Sequence, residues 1–192
     1  DKEVEACALL RDVKSTEKFG FTLKDGHIDA ATPKAMHKLV TGLFDGRSQA
    51  NTKNYLEEIF EVCHLDFKGE EYQLDVDPAL AAKWESMRGK AEGKPIVGLN
   101  TGCGDRWTTR LWPEERWTTL IISLQAEGFF PVVLGGKQED ELNKRYAANT
   151  GCYYPGNYSL REFFAITANT DIVVTQVSMM MHIAIALRKR LV

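Results

Sequence analysis

The chain has 192 residues, 44% of them hydrophobic, enough for one large domain or two small ones with true cores. Its 24 Lys and Arg are scattered against 27 Asp and Glu, for a net charge of −3, which excludes a basic nucleic-acid stripe and an acidic disordered tail. No apolar run approaches the roughly 20 residues of a membrane-spanning helix, and the opening DKEVEACALL lacks the basic start and long apolar stretch of a signal peptide. The chain does not begin with Met, and we expect it to be part of a longer protein.

In the first half, Asp1–Val13 reads as a helix and Lys18–Phe21 (KFGF) as a strand. Pro33–Leu43 and Asn51–His64 read as helices, the second with Tyr55, Leu56, Ile59, Phe60 and Cys63 along one side. Ala79–Met87 is a further helix. Arg88–Lys94 (RGKAEGK), charged and glycine-bearing, is the best linker. It divides the chain into residues 1–87, the end of one domain, and 95–192, most of a second.

The second half is better punctuated. Pro95–Asn100 (PIVGLN) is a buried strand, followed by the loop Thr101–Leu111 (TGCGDRWTTRL). A helix then opens at Pro113, carries Glu114 and Glu115 in its first turn, and stops at Gly128. Trp117, Leu120, Ile121 and Leu124 share one of its faces. Phe129–Leu134 is a strand in which Pro131 implies an edge position or a strand start. Glu139–Asn149 reads as a polar helix and Cys152–Tyr154 as a brief strand. Ser159 and Glu162 form a capping box for a helix reaching Ala168. Asp171–Thr175 is a strand, Met179–Leu187 a helix, and Leu191-Val192 begins another strand. This alternation implies a parallel sheet with helices on both faces. Ligands bind such sheets at the carboxyl ends of the strands. The loops 101–111, 135–138 and 176–180 leave those ends and should converge.

Within the first loop, Gly102 and Gly104 uncover backbone N–H groups, Thr101, Thr108 and Thr109 offer hydroxyls, and Arg106 and Arg110 offer forked cations. That set suits a phosphate or diphosphate. It is neither a Walker loop nor a G-x-G-x-x-G fingerprint, and an ordinary solvated loop stays open as the alternative. In Gln176–His182 (QVSMMMH), Ser178 is a natural N-cap whose helix leaves N–H groups for negative charge. His182 lies one turn in; it either meets the same ligand or is a hydrogen-bonded core histidine. Met180 reads as core. Glu139 follows Gly135-Gly136, where a carboxylate can accept both ribose hydroxyls or simply favour a helix start. The four cysteines, Cys7, Cys63, Cys103 and Cys152, form no C-x-x-C pair and no zinc spacing. They read as reduced thiols of a cytosolic protein, and Cys103 as a small loop residue without a base to activate it.

In order, IVGLNTG, RLWPEERW, VVLGGKQEDE, YSLREFFAIT and DIVVTQVSMMMHIAIAL resemble the successive segments of glycosyltransferase family nine, the ADP-heptose:lipopolysaccharide heptosyltransferases. The first half is similar more loosely, through GF…DGHI and NTKNYLEEIFE. The resemblance implies an α/β fold of GT-B type, with two Rossmann-like domains and parallel sheets. Here the chain would hold the end of the N-terminal, acceptor-side domain and most of the C-terminal, donor-side domain. It implies inverting transfer of a heptose or related sugar from a nucleoside-diphosphate sugar to a lipopolysaccharide core or lipid A-linked acceptor, in the cytoplasm at the inner-membrane face. No metal or other cofactor is implied.

Carried over residue by residue, the donor-binding set is Thr101, Gly102, Arg106, Arg110, Glu139, Tyr158, Ser178, Met179 and His182. Thr101 and Gly102 would border the diphosphate, Arg110 would be the basic phosphate contact, Glu139 the ribose carboxylate and Tyr158 a neighbour of the adenine. Two departures stand out. Val177-Ser178-Met179 replaces the Asp-Thr-Gly-type turn of many members, and the acidic base expected early in the N-terminal domain lies outside this sequence. No base is therefore named, and the chain alone is expected not to turn over substrate. An epimerase or a transferase with a UDP or GDP donor shares the fold, and a non-catalytic nucleotide-sugar-binding protein is the alternative of another class.

Overall fold

The computed structural model describes residues 2–192, without the side chains of 105–107. The chain forms two compact units, Asp1–Glu70 and Glu71–Val192.

In the first unit, α1 (Val4–Asp12) is followed by a hairpin of β1 (Phe21–Lys24) and β2 (His27–Ala30). Its two-residue turn, Asp25-Gly26, has φ of 50° and 78°. Positive φ at both positions gives the strands the matching twist, which is why Asp-Gly is a strong hairpin signal. The strand therefore begins at Phe21, where KFGF was expected to end, and the Gly20 φ of 100° marks its entry. Next come α2 (Pro33–Leu43), α3 (Asp45–Gln49) and α4 (Tyr55–Val62). Cys7, Phe21, Ala35, Leu39 and Val62 form the core.

The face of α4 differs from expectation. Its buried residues are Glu58 and Val62, while Tyr55 is 57% exposed. Glu58 goes inward because it is paired: Lys38 forms an ion pair with it, and Thr41 Oγ1 and Asn51 Nδ2 donate at 3.1 and 3.3 Å. A buried carboxylate so satisfied is tolerated where an unpaired one is not. Periodicity of apolar residues cannot reveal that.

The second unit opens on α5 (Pro78–Ala91), capped by the Asp77 side chain. Residues 88–91, expected as linker, are its last turn. Met87 and Ala91 are buried with α8, so packing holds helical a stretch whose composition suggests a hinge. The boundary between compact units falls instead at Glu70 and Glu71. The sheet contains β3 (Ile96–Asn100), β4 (Phe130–Leu134), β5 (Ile172–Thr175) and β6 (Arg190–Leu191), all parallel in the order β4-β3-β5-β6. β4 ends the sheet, one of the two positions Pro131 implied; beyond it, among the described residues, lies a bridge between Val132 and Tyr153. The helices are α6 (Glu114–Ala126), α7 (Asp140–Thr150), α8 (Leu160–Ala168) and α9 (Met179–Ala186), with a 3-10 turn at Asp105–Arg110. One core joins Val97, Leu99 and Val133 to Trp117 and Ile121 of α6 and Tyr146 of α7. The other joins Ile96, Val132 and Val173 to α5, α8 and α9. Alternation along β3 thus feeds both faces, and central β3 is wholly buried.

Asp171 ties α5 to this sheet. Its carboxylate accepts from the Ile96 N–H at 2.8 Å and from Arg88 at 3.0 Å. Burial opposes its charge, but the Ile96 N–H and the Arg88 guanidinium prevail and hold its pKa below the ordinary 3.8. The stabilisation is present above that value and fades as pH falls through it toward the folded pKa. Asp171→Asn is expected to cost about 1 kcal/mol at pH 7, a figure reduced for partial solvent exposure. Melting curves should show the gap between variant and parent closing below about pH 4. A gap that persists at low pH would remove the charge from this account.

Candidate functional site

The three loops converge at the carboxyl ends of β3, β4 and β5. They enclose a cavity of about 460 Å³, within the size range of small-molecule sites. Asn100, Gly102 and Gly104 line it from β3, Gly135 to Glu139 from β4, and Ser178, Met179 and Met180 from β5 and α9. Tyr158, Leu160 and Phe163 close the remaining side.

Glu139 sits flush against two glycine backbones. Its Oε2 accepts from the Gly136 N–H at 2.8 Å. A Cβ on Gly102 would stand 2.0 Å from Oε1, and one on Gly135 would stand 2.7 Å from the Glu139 Cβ. The glycines are therefore required by close approach. The next residue, Asp140, anchors α7: Lys144 and then Tyr154 hydrogen-bond it and lower its pKa.

Ser178 is the N-cap of α9 in extended conformation, its Oγ accepting from the Met180 N–H at 3.3 Å. Asn100 Nδ2 also donates to that Oγ, at 3.2 Å. The Met180 and Met181 N–H groups are taken by the Ser178 Oγ and carbonyl, so what this eight-residue helix offers beside the cavity is the positive end of its dipole, which favours an anion. Arg110 belongs to the same corner: its Nη1 donates to the Val177 carbonyl at 3.2 Å, linking the first loop to the last.

Of the expected residues, Gly102, Glu139, Tyr158, Ser178 and Met179 line the cavity together. Tyr158 packs edge-on against Trp84, with ring centroids 4.9 Å apart, and stays 44% exposed. Met180 is buried as expected yet also reaches the lining. Thr101 turns the other way. It is 2% exposed, and its hydroxyl donates to Asn143 Oδ1 at 2.7 Å, which leaves its backbone rather than its side chain toward the loop. His182 presents its ring to Tyr72, whose hydroxyl lies 2.9 Å from Nδ1; it is not among the lining residues. The Arg106 side chain lies outside the described residues.

Sequence reading missed Asn100, Lys137, Asn157, Leu160 and Phe163, all of which line the cavity. Asn100 had a usable signal: it is the one polar residue in PIVGLN, and it ends the strand. The others carry no signal apart from their place in the fold.

A parallel sheet flanked by helices, with its cavity across the carboxyl ends of neighbouring strands, defines a Rossmann-like α/β domain. The profile of glycosyltransferase family 9 (heptosyltransferase) matches residues 8–192, and the chain belongs to that family. No curated protein sequence matches it. Among solved structures, E. coli ADP-heptose lps heptosyltransferase II is similar at 23% identity and a TM-score of 0.54, over 62% of this chain and 38% of that one. A glycosyl transferase family 9 protein from Veillonella parvula aligns at 17% identity and a TM-score of 0.59, over 73% and 43% of the two chains. The E. coli heptosyltransferase WaaC, solved with ADP, aligns at 23% and 0.50, over 73% and 45%. At these identities the likeness concerns the fold, and this chain spans less than half of each of the three. No helix among the described residues is long and apolar enough to cross a membrane.

Proposed function

We propose that this chain carries the donor-binding part of an inverting glycosyltransferase. It moves a heptose or related sugar from ADP-heptose, or a similar nucleotide sugar, to a lipopolysaccharide core or lipid A-linked acceptor. The reaction runs in the cytoplasm, at the inner-membrane face, and is assigned no resident cofactor. The observation that supports this most directly is the shared cavity between Glu139 and the N-terminus of α9. A carboxylate for ribose hydroxyls shares the cavity with the positive end of a helix for a diphosphate, with a hydroxyl-bearing ring, Tyr158, at the rim. In that arrangement the N-terminus of α9 and Arg110 stabilise charge that builds on the departing nucleoside diphosphate, which is where transition-state binding matters. The acceptor hydroxyl is deprotonated by a base that these residues do not supply.

Calorimetric titration with ADP, ADP-heptose, UDP and GDP tests the reading. The adenine ligands should bind at least about tenfold more tightly, a difference near 1.4 kcal/mol. A preference for UDP or GDP would assign another donor, and no binding of any of the four would end the nucleotide-sugar reading.

The Val177–Ser178 turn has its own expected result. Ser178→Ala should weaken both the fold and ADP binding by about 1 kcal/mol each, from the lost cap and the lost contact. Ser178→Gly should spare the cap more than the contact. Val177→Asp should not improve ADP binding, because its carboxylate repels a diphosphate and competes for Arg110. ADP titrations with melting curves alongside check all three. Tighter binding by Val177→Asp would overturn the view that the positive helix end does the work here.

A further inference from the structure

The Asn100 carboxamide is held from one side only. Its Nδ2 lies 2.7 Å from the Gly102 carbonyl oxygen, 3.0 Å from Thr175 Oγ1 and 3.2 Å from Ser178 Oγ. A carbonyl can only accept, so the nitrogen must face it, and the flipped amide is excluded. Thr175 in turn donates its proton to the Gln176 carbonyl at 2.9 Å, which leaves its oxygen free to accept from Asn100. Asn100 thus clamps the end of β3 to its own loop and to the turn into α9.

The other end of the amide is the informative one. Asn100 is 6% exposed and lines the cavity. Its Oδ1 takes no hydrogen bond from the described residues and is not fully buried, so it keeps access to solvent in a residue that lines the cavity. A nearly buried carbonyl oxygen there repels an anion and calls for a donor.

We infer that Asn100 reads a hydroxyl of the bound ligand through Oδ1 while Nδ2 holds the loops in place, making it a specificity-determining residue. The inference rests on the nucleotide-sugar reading above. In such a ligand both neighbours of the diphosphate are hydroxyl-bearing rings, the ribose on one side and the transferred sugar on the other. Asn100 touches Ser178 at the helix N-terminus assigned to the phosphates, so one of those rings is the group within reach. The base lies one ring further away.

The experiment titrates ADP, 2′-deoxy-ADP, 3′-deoxy-ADP and ADP-heptose against the parent, Asn100→Ala and Asn100→Asp, with melting curves for each protein. In the parent, the ligand lacking the partner hydroxyl should bind about three- to tenfold more weakly, the worth of one neutral hydrogen bond. Asn100→Ala should erase that difference. Asn100→Asp still offers an accepting oxygen, so it should keep the difference while weakening all four ligands through its charge. If Asn100→Ala weakens all four by one common factor, Asn100 is a clamp alone and the inference falls. Should Asn100→Ala not fold, loss of the hydroxyl difference in Asn100→Asp overturns it equally. A parent that binds ADP but shows no difference among the ligands sinks this inference and spares the functional reading. A parent that does not bind ADP sinks both.

Discussion

Gly102→Ala is expected to weaken ADP binding about ten- to hundredfold, equivalent to losing a charge-assisted hydrogen bond of roughly 1.5–3 kcal/mol, with little change in melting temperature. The new Cβ would lie 2.0 Å from Glu139 Oε1, 2.3 Å from its Cδ and 2.6 Å from its Cγ. Something must move, and the flexible end of a side chain moves more cheaply than either backbone. Glu139 cannot simply retreat, because the Gly135 backbone crowds its stem: a Cβ on Gly135 would stand 2.7 Å from the Glu139 Cβ and 3.2 Å from its Cγ. The carboxylate therefore swings away from Gly136 and from the ligand. The fold keeps its core, and the site loses its acceptor. Pairing the variant with Glu139→Ala makes the test sharp. Glu139→Ala alone should cost about as much as Gly102→Ala, and adding the second change should cost little more, as coupled neighbours do. Additive losses would mean that Gly102 acts through its own N–H and not through Glu139.

Arg110→Ala should also weaken ADP about ten- to hundredfold, for a different reason. The guanidinium is exposed and sits over the Val177 carbonyl, beside the N-terminus of α9. It brings positive charge to the N-terminus of α9, where the helix dipole is also positive, and it tethers the 101–111 loop to that spot. Arg110→Lys keeps the charge but not the planar fork, so it should recover only part of the loss. Raising the salt concentration should narrow the gap between parent and Arg110→Ala, since an exposed charge is screened. Equal ADP affinity in parent and Arg110→Ala would remove the residue from the site.

The two predictions show different degrees of legibility. Arg110 and Glu139 could be named as candidates from the sequence because each follows a marker, a glycine-bearing loop before a proline-led helix and a Gly-Gly strand end, and the family resemblance favoured the ligand-binding alternative for both. Their geometry could not be picked out. That Gly102 and Glu139 occupy one another's space depends on β3 and β4 being neighbours, a matter of sheet order. Thr101 shows the opposite outcome: in sequence it belongs with Gly102, but strand alternation turns its side chain to Asn143 and away from the cavity.

Local order was determined by the sequence alone wherever a segment carried its own punctuation. The limits of α2 are those read in the sequence, Pro33–Leu43, and the capped starts of α8 and α9 and the buried β3 were likewise legible, because caps, prolines and runs of apolar residues act within a few positions. Even the parallel sheet followed from the alternation of elements. Tertiary structure decided the rest. It made Arg88–Ala91 helix instead of linker, since Met87 and Ala91 find a partner in α8. It turned Glu58 inward, since Lys38 and Thr41 from another helix neutralise and bond it. It chose which way the Asn100 amide points, since its three acceptors come from residues 102, 175 and 178. For the helix end and for Glu58 the deciding energy lies in contacts between residues far apart in the chain; for Asn100 a near neighbour, the Gly102 carbonyl, acts together with Thr175 and Ser178, which only the sheet brings close.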